Sequence, residues 1–276
     1  MPPVTGSLVF LIFLVGALAG GLGALLGIGG GVFLVPFLTL FLHVPIEFAI
    51  PISLSTVIAT SSAVSAGTAG RQLINLRLGM LLEVATAAGG LVGGLSASLL
   101  SRGALYLLFG VVSAASGVTM LGRLGRRNVS LDPAADPGRL GGRYYEEESG
   151  GVVTYRVKRL PVALVASFVA GNISTLLGVG GGIIKVPVLN AWCGVPLRAA
   201  AATSAFMIGV TATSGAVIYY GRGQIVPVLA AAAVLGVRLG SWVGLRIGSR
   251  ATARWLKLLM AVVLFIVSFL MLARAS

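Results

Sequence analysis

The chain contains the same apolar unit twice, in one register and without a gap. When the sequence is shifted by 151 residues, positions 16–45 match positions 167–196 at 13 of 30 places. The match is closest where Leu-Leu-Gly-Ile-Gly-Gly-Gly at 25–31 pairs with Leu-Leu-Gly-Val-Gly-Gly-Gly at 176–182. Two Val-Pro steps keep the same register, 35–36 with 186–187 and 44–45 with 195–196. A duplication of this kind restricts the fold to two halves built alike.

The amino-acid composition of the chain is typical of a membrane protein. Of the 276 residues, 57% are hydrophobic and only 10% are charged, whereas soluble domains carry about 25% charge. With one cysteine, this composition excludes a soluble enzyme, a disordered chain and a disulfide scaffold. Most of the apolar segments approach the roughly 20 residues that span a bilayer. In chain order the segments are 7–26, 32–42, 48–69, 78–100, 103–122, 160–178, 183–193, 199–220, 225–246 and 253–273.

One stretch interrupts the apolar pattern. Residues 123–159 hold five of the seven acidic residues and eight basic ones. Pro133 and Pro137 disfavour a helix there, and a short hairpin is expected at 144–155. We therefore predict a first membrane repeat at 1–122, a polar linker at 123–159 and a second repeat at 160–276. The linker is interpreted as a solvated connection, with a regulatory or partner-binding segment as the alternative.

Two topologies compete for the repeats, because segments 32–42 and 183–193 are too short to span and each follows a glycine cluster. If each short segment turns back as a hairpin, the halves are inverted, and 15 of the basic residues outside the spans lie on one side of the membrane and 3 on the other. If each short segment instead forms one broken span with the segment before it, the halves are parallel, and the two sides carry 12 and 6 basic residues. The positive-inside rule favours the first arrangement.

The predicted fold is therefore an all-α polytopic membrane protein with two tandem inverted repeats. Each repeat is a glycine-broken helical hairpin followed by three transmembrane helices. The linker is placed in the cytoplasm and the protein in the cell (inner) membrane. The net charge of +13 is attributed to cytoplasmic loops and anionic lipid headgroups in the bilayer rather than to nucleic acid.

A family resemblance follows from the repeated motif. The pattern GxGGGxxxVP occurs at 27–36 and again at 178–187, and Ala-Ala-Thr-Ser follows at 201–204. The sequence resembles the TauE/SafE family of sulfite exporters and small-anion permeases. The resemblance implies a transporter of small sulfur-containing anions such as sulfite, sulfonates or sulfoacetate, commonly moving them outward. Composition alone does not identify the substrate.

The glycine clusters are the first candidate substrate contacts. Each cluster precedes a short apolar segment, and the N-terminus of a half-helix presents free N–H groups and partial positive charge to an oxyanion. Glycine-broken segments at corresponding places in two repeats are typical of a transporter binding site. The alternative is that the glycines only permit close helix packing. The candidate residues are Gly29, Gly30, Gly31, Gly180, Gly181 and Gly182.

Hydroxyl groups crowd one segment and its repeat mate, and such groups could replace water around a sulfonate. Most of them are expected to bond to their own helix or to a neighbouring helix. Ser53 and Ser204 match across the repeats and lie near the start of their segments, so they are the preferred substrate-binding hydroxyls.

Charged residues within the apolar segments form the next group. Lys185 and Arg238 lie at depths where a charge costs at least about 2.5–3.5 kcal/mol on insertion scales, so we expect them to be paired or functional. Lys185 is a candidate substrate contact. Glu83 and Arg238 are predicted to pair for gating or coupling, with a static structural pair as the alternative.

Arg71 and Arg222 match across the repeats in short connections between segments. They are assigned to gating, where they could gather anions at each mouth, with ordinary interfacial arginines as the alternative. His43 is the only histidine, and no second histidine is available to build a metal site with it.

Together these features predict a secondary transporter that exports small anions by alternating access around a midplane site. No catalytic residue, cofactor or metal is expected, and the oligomeric state stays open. A transporter of another solute, such as a metal cation, is disfavoured because only Glu83 and Glu47 are candidate intramembrane carboxylates. An intramembrane enzyme lacks a nucleophile–base pair, and a purely structural membrane protein would not need duplicated glycine breaks.

Overall fold

The fold is an all-α polytopic membrane architecture. The computed structural model describes residues 5–68, 72–122, 128, 130–131, 135–248 and 252–275. Within these ranges, eight helices are long and apolar enough to cross a membrane. They are α1 Gly6–Leu26, α3 Ile46–Thr68, α4 Leu76–Ser96, α5 Arg102–Leu121, α6 Leu160–Leu177, α8 Leu197–Gly221, α9 Pro227–Gly248 and α10 Ala253–Ala275.

Two short helices, α2 (Gly31–Leu40) and α7 (Gly182–Ala191), begin directly after the glycine clusters. Each has ten residues, about 15 Å of helix, which is half of the bilayer core. Both contain a proline in their middle, Pro36 or Pro187. The chain leaves the C-terminal end of both helices in the same way. The N–H of Val44 donates to the carbonyl oxygen of Leu38 at 2.9 Å, and the N–H of Val195 donates to the carbonyl oxygen of Leu189 at 3.0 Å.

The repeat register is kept in the helix boundaries. Helices α2, α3, α4 and α5 start at residues 31, 46, 76 and 102, and α7, α8, α9 and α10 start at residues 182, 197, 227 and 253. Every pair of starts differs by the 151 residues seen in the sequence. The two halves therefore consist of the same five helices in the same order.

The helices of the two halves pack on each other. Helix α1 packs on α9, and their repeat mates α6 and α4 pack on each other in the same way. Helix α3 packs on its own mate α8, and α5 packs on its own mate α10. Small residues allow close approach in these pairs, as is usual between membrane helices. A Cβ atom on Gly16 of α1 would lie only 2.7 Å from the carbonyl oxygen of Ala233 in α9.

Equivalent helices that meet across the halves run antiparallel. Along α3 and α8, Leu54 lies beside Gly215 whereas Ser61, further along α3, lies beside Gly209. Along α5 and α10, Gly110 lies beside Leu272 and Gly117 beside Phe265. In both pairs the residue numbers rise on one helix as they fall on the other.

The linker contains the β-hairpin expected at 144–155. Strands β1 (Gly142–Glu146) and β2 (Gly151–Tyr155) pair antiparallel. The hairpin is docked rather than free in solvent, because Tyr144 and Val153 are buried in a cluster with Leu189 and Ala199 of the second half.

Candidate functional site

The two glycine clusters lie directly against each other at the contact between the halves. A Cβ atom on Gly182 would lie 2.6 Å from the carbonyl oxygen of Gly27, and one on Gly31 would collide with the carbonyl of Gly178. The first residues of α2 and α7 therefore meet the opposite glycine turn, with no space for any side chain. Because the first N–H groups of a helix have no partner within that helix, both short helices direct donors toward this region.

The middles of α3 and α8 cover the turns. A Cβ atom on Gly29 would lie 3.1 Å from Ile208 Cδ1 in α8. A Cβ atom on Gly180 would lie 2.7 Å from Val57 Cγ1 in α3. Val57 and Ile208 are themselves repeat mates. Gly30 and Gly181 face away from this contact, toward the preceding helices α1 and α6. Four of the six predicted glycines thus lie between the halves and two lie at the rear of the turns.

Gly30 and Gly181 occupy the same motif position but have different backbone conformations. Gly30 has φ −67° and lies in the right-handed helical region. Gly181 has φ +68°, in the left-handed region that side chains with a Cβ rarely adopt. The two turns therefore differ in shape although their sequences agree.

The predicted serines also break the symmetry. Ser53 Oγ donates to the carbonyl oxygen of Gly178 at 2.6 Å and joins the two halves. Its repeat mate Ser204 is fully buried, and its Oγ has no hydrogen-bond partner among the described residues. Buried polar groups are normally satisfied, so the Ser204 hydroxyl is an exception at this depth.

Lys185 is buried beside the second glycine turn. It is 1% exposed, and its Cε lies 3.4 Å from the place of a Cβ on Gly181. Its Nζ lies 4.0 Å from Oε2 of Glu83, which is too long for a hydrogen bond. The other oxygen of Glu83, Oε1, accepts a hydrogen bond from Thr211 Oγ1 at 2.8 Å. The structure thus brings Lys185 and Glu83 together near the turns.

The predicted pairing of Glu83 with Arg238 is wrong. The cation beside Glu83 is Lys185, and Arg238 is exposed on the outer face of α9. Arg238 lies with Trp242 and Arg246 in a groove between α3 and α9. Glu83 and Arg238 both lie deep in apolar segments, but depth does not define which face of a helix carries a residue.

Two vestibules at repeat-related positions approach the glycine turns. The linker-side vestibule is lined by Arg198, Ala201, Leu256 and residues of the α3 end, including Thr68. The far vestibule has the mates of these residues at its wall, namely Glu47, Ile50, Leu105 and Tyr219. Ala201 packs on Gly27 and Ile50 packs on Gly178. Each vestibule thus ends at one glycine turn, and the two open at opposite ends of α3.

The vestibules differ in volume and in charge. The linker-side cavity measures about 80 Å³ and the far one about 300 Å³. The far vestibule contains Arg222, Gln224 and the ion pair of Arg102 with Glu47. The predicted gating residue Arg222 therefore lies at a vestibule mouth, while its mate Arg71 lies outside the described residues.

The linker hairpin supplies a contact to the linker-side vestibule. Glu146 Oε1 lies 3.8 Å from Arg198 Nε and accepts a 3.2 Å hydrogen bond from Tyr144 Oη. Burial, together with the neighbouring Glu146 carboxylate, raises the pKa of Tyr144 well above its usual range. Tyr144 therefore stays a neutral hydrogen-bond donor to Glu146, which in turn holds Arg198.

Metal ligands do not gather at this site. Across the described ranges, no three His, Cys, Asp or Glu side chains come close enough together to hold a metal ion. The groups available around the turns are hydroxyls, backbone N–H groups, one ammonium and one carboxylate.

Comparison with known proteins identifies the family of this chain. The family model described as the sulfite exporter TauE/SafE matches residues 12–271, nearly the whole chain. The chain belongs to the TauE/SafE family. The match covers both repeats and the linker between them.

Curated relatives of this TauE/SafE chain are named as transporters. It is 26% identical over 268 residues to the probable membrane transporter protein YunE of Bacillus subtilis, covering 95% of this chain and 96% of the relative. It is 24% identical over 277 residues to the probable membrane transporter protein MJ0441 of Methanocaldococcus jannaschii, covering 95% and 94%. No solved structure gives a significant match. The TauE/SafE chain is therefore a multi-pass membrane protein of a transporter family.

Two features of the site could not be found from the sequence. The first is the partnership of Lys185 with Glu83, although both residues were candidates. Their only signal in the sequence was that each is an isolated charge in an apolar segment. The second is the wall of the far vestibule, where Tyr219 and Gln224 lie close to Arg222. In the sequence, Tyr219 lies near the end of the apolar segment 199–220 and Gln224 lies in a short connection, and neither position indicates a vestibule.

Proposed function

We propose that this membrane transporter moves small sulfur-containing anions, such as sulfite, sulfonates and sulfoacetate, through a site between its two glycine turns. The observation that carries the proposal is the contact between the turns, each of which is approached by a vestibule from opposite ends of α3. The substrate contacts are the N-terminal N–H groups of α2 and α7 with the unpartnered hydroxyl of Ser204. Lys185 supplies the positive charge.

The mechanism is alternating access between the two vestibules. Because both end at the same glycine contact, opening one while closing the other exposes one anion site to each side in turn. Small residues at the contact let the backbones slide without displacing side chains. The chain thus performs transport and no covalent chemistry.

We further propose that the halves, 1–122 and 160–276, are inverted repeats. The antiparallel packing of α3 on α8 and of α5 on α10 supports this, because equivalent helices in parallel repeats would point the same way. The protein then lies in the inner membrane of the cell, with the linker 123–159 in the cytoplasm. The excess of basic residues in the loops on the linker side agrees with that placement.

The direct test is anion flux into proteoliposomes. Purified protein is expected to carry sulfite and sulfoacetate in a saturable manner, and each anion should compete with the other. Taurine, which carries a compensating ammonium, should compete less well because Lys185 would repel it. Equal flux of these compounds in protein-free liposomes, or saturable transport of a divalent cation instead, would overturn the proposal.

A further inference from the structure

The contact between Glu83 and Lys185 has the properties of a coupling site. We propose that the pair couples each transported anion to one proton moving in the same direction. In this step the anion becomes the counter-ion of the Lys185 ammonium, while Glu83 takes up a proton. The inference rests on the proposed anion transport and adds its driving ion. Under an inward proton gradient this coupling favours uptake of the anion, the reverse of the export expected from the sequence.

The ion pair is loosely held. The Nζ of Lys185 and the Oε2 of Glu83 are 4.0 Å apart, and neither atom has a hydrogen-bond partner among the described residues. An ammonium group has three donors, so a structural ion pair at this depth would be expected to use them. The geometry instead leaves the Lys185 ammonium free to bind an anion and Glu83 Oε2 free to take up a proton.

Few other charges reach the pair. The charged residues of the elements packed around it are Arg77 at the start of α4, Arg102 at the start of α5, and Arg198 and Arg222 near the two ends of α8. Arg102 contacts Glu47, and Arg198 contacts Glu146. Helix α6 carries no charged residue. Glu83 and Lys185 therefore determine the charge at this place.

Charge balance then requires the proton. In the absence of substrate, the carboxylate and the ammonium cancel. When a monovalent anion approaches Lys185, a second negative charge appears in a region that excludes water, and an unpaired buried charge is costly. Addition of a proton to Glu83 Oε2 forms a neutral carboxylic acid and restores the balance. Release of the anion to the other side reverses both steps, so the proton leaves with it.

The pair is positioned to sense the glycine site. Lys185 lies in the first turn of α7 and touches the Gly181 turn. Thr211, which bonds Glu83, lies two helical turns along α8 from Ser204. Between them Ile208 packs on Gly29. Substrate at the turns and the protonation of Glu83 are thus linked through one face of α8.

The pair exists in one half only. At the repeat-related positions, Leu34 replaces Lys185 and Val234 replaces Glu83. Thr60, the mate of Thr211, donates its hydroxyl to the backbone of its own helix at Thr56 instead. One pair per molecule predicts one proton per anion. Leucine at position 34 and valine at position 234 also show that the corresponding helices of the other half accommodate these apolar side chains in place of the charged pair.

The test measures anion and proton movement together in proteoliposomes. Methanesulfonate, a monovalent sulfonate, serves as the probe, an internal dye reports pH, and potassium with valinomycin clamps the membrane potential. Methanesulfonate keeps its single negative charge throughout the neutral pH range, so protons that move with it are carried by the protein. For one proton per anion, a gradient of one pH unit should sustain about tenfold accumulation of methanesulfonate on the alkaline side.

The variants separate coupling from folding. E83Q should still move anion but should lose proton flux and the tenfold accumulation, whereas K185L should lose anion flux. The double variant E83V/K185L copies the uncharged mate positions and should unfold at the wild-type temperature while moving no anion. T211A should shift the pH dependence of flux, and T60A should leave it unchanged.

Each other outcome overturns the inference. Wild-type anion flux without protons, or E83Q that still couples, would remove the coupling and leave anion transport standing. Equal effects of T211A and T60A would remove the role of the Thr211–Glu83 bond. Absence of anion flux from the wild type under every gradient would instead overturn the proposed function, and the coupling with it.

Discussion

Ser53 Oγ, in the first half of the chain, donates a 2.6 Å hydrogen bond to the backbone carbonyl of Gly178 in the second half. The mate of this bond, from Ser204 to Gly27, is not formed. One serine thus joins the halves, and the hydroxyl of the other is buried without a partner among the described residues. The two residues share a sequence position and have different physical roles.

Replacement of Ser53 by alanine is expected to destabilise the protein by about 1–3 kcal/mol, because the carbonyl of Gly178 stays buried without its donor. The matched variant S204A removes a hydroxyl that bonds to none of the residues the structure describes, so its unfolding temperature in detergent should stay at the wild-type value. Its apparent affinity for sulfite should fall. If both variants lost the same stability, the difference between the two serines would be refuted.

Replacement of Gly182 by alanine is expected to prevent correct packing of the turns. Its Cβ would lie 2.6 Å from the Gly27 carbonyl oxygen, and backbone on both sides leaves no flexible group to move. At Gly221, the last residue of α8, an added Cβ would have nothing within 4 Å, so G221A is the control. We expect G182A to lose most anion flux and to unfold at lower temperature. A G182A variant with wild-type flux would contradict the close contact.

The orientation can be tested by labelling introduced cysteines with a membrane-impermeant maleimide. Burial raises the pKa of the Cys193 thiol to about 11, so at neutral pH the natural cysteine is a protonated, slowly reacting thiol. In intact cells, S98C on the far side should be labelled, while E147C in the hairpin should react only after permeabilisation. The reverse pattern would place the linker outside and refute the proposed orientation.

The contact from Glu146 to Arg198 should control the linker-side vestibule. In E146Q the carboxylate charge that faces Arg198 is lost, and we expect the hairpin to become more sensitive to trypsin and the transport rate to change severalfold. E147Q alters an exposed neighbour in the same hairpin and should have neither effect. If E146Q and E147Q gave the same proteolysis pattern and the same flux, the Glu146–Arg198 contact would have no control over the vestibule.

The sequence predicted the helices closely because the repeat supplied two independent readings of each boundary. Segments 32–42 and 183–193 were recognised as too short to span, and helices α2 and α7 confirm this with ten residues each. The hairpin in the linker is also confirmed. These features depend on local composition and spacing, which a single chain displays directly.

Side-chain partners could not be predicted in the same way. Arg238 and Lys185 appear equivalent in sequence, as isolated cations in apolar segments, yet one faces outward and the other is 1% exposed. The difference arises because α9 packs on α1 and α3, whereas α7 is enclosed by α5, α6 and α8. Only the tertiary arrangement distinguishes these two environments. The positions of the substrate contacts, and the inversion of the halves, stay predictions.

The unequal backbones of Gly30 and Gly181 carry a consequence for the whole transport cycle. One motif adopts two backbone shapes in a single molecule, and under the proposed alternating access each turn would switch between these two shapes. If the halves exchanged their shapes, the smaller and the larger vestibule would change places without any new kind of contact. Each motif position must then accept both signs of φ during the cycle. A side chain at Gly30 or Gly181 would disfavour one of the two shapes and would therefore hold the protein facing one side of the membrane.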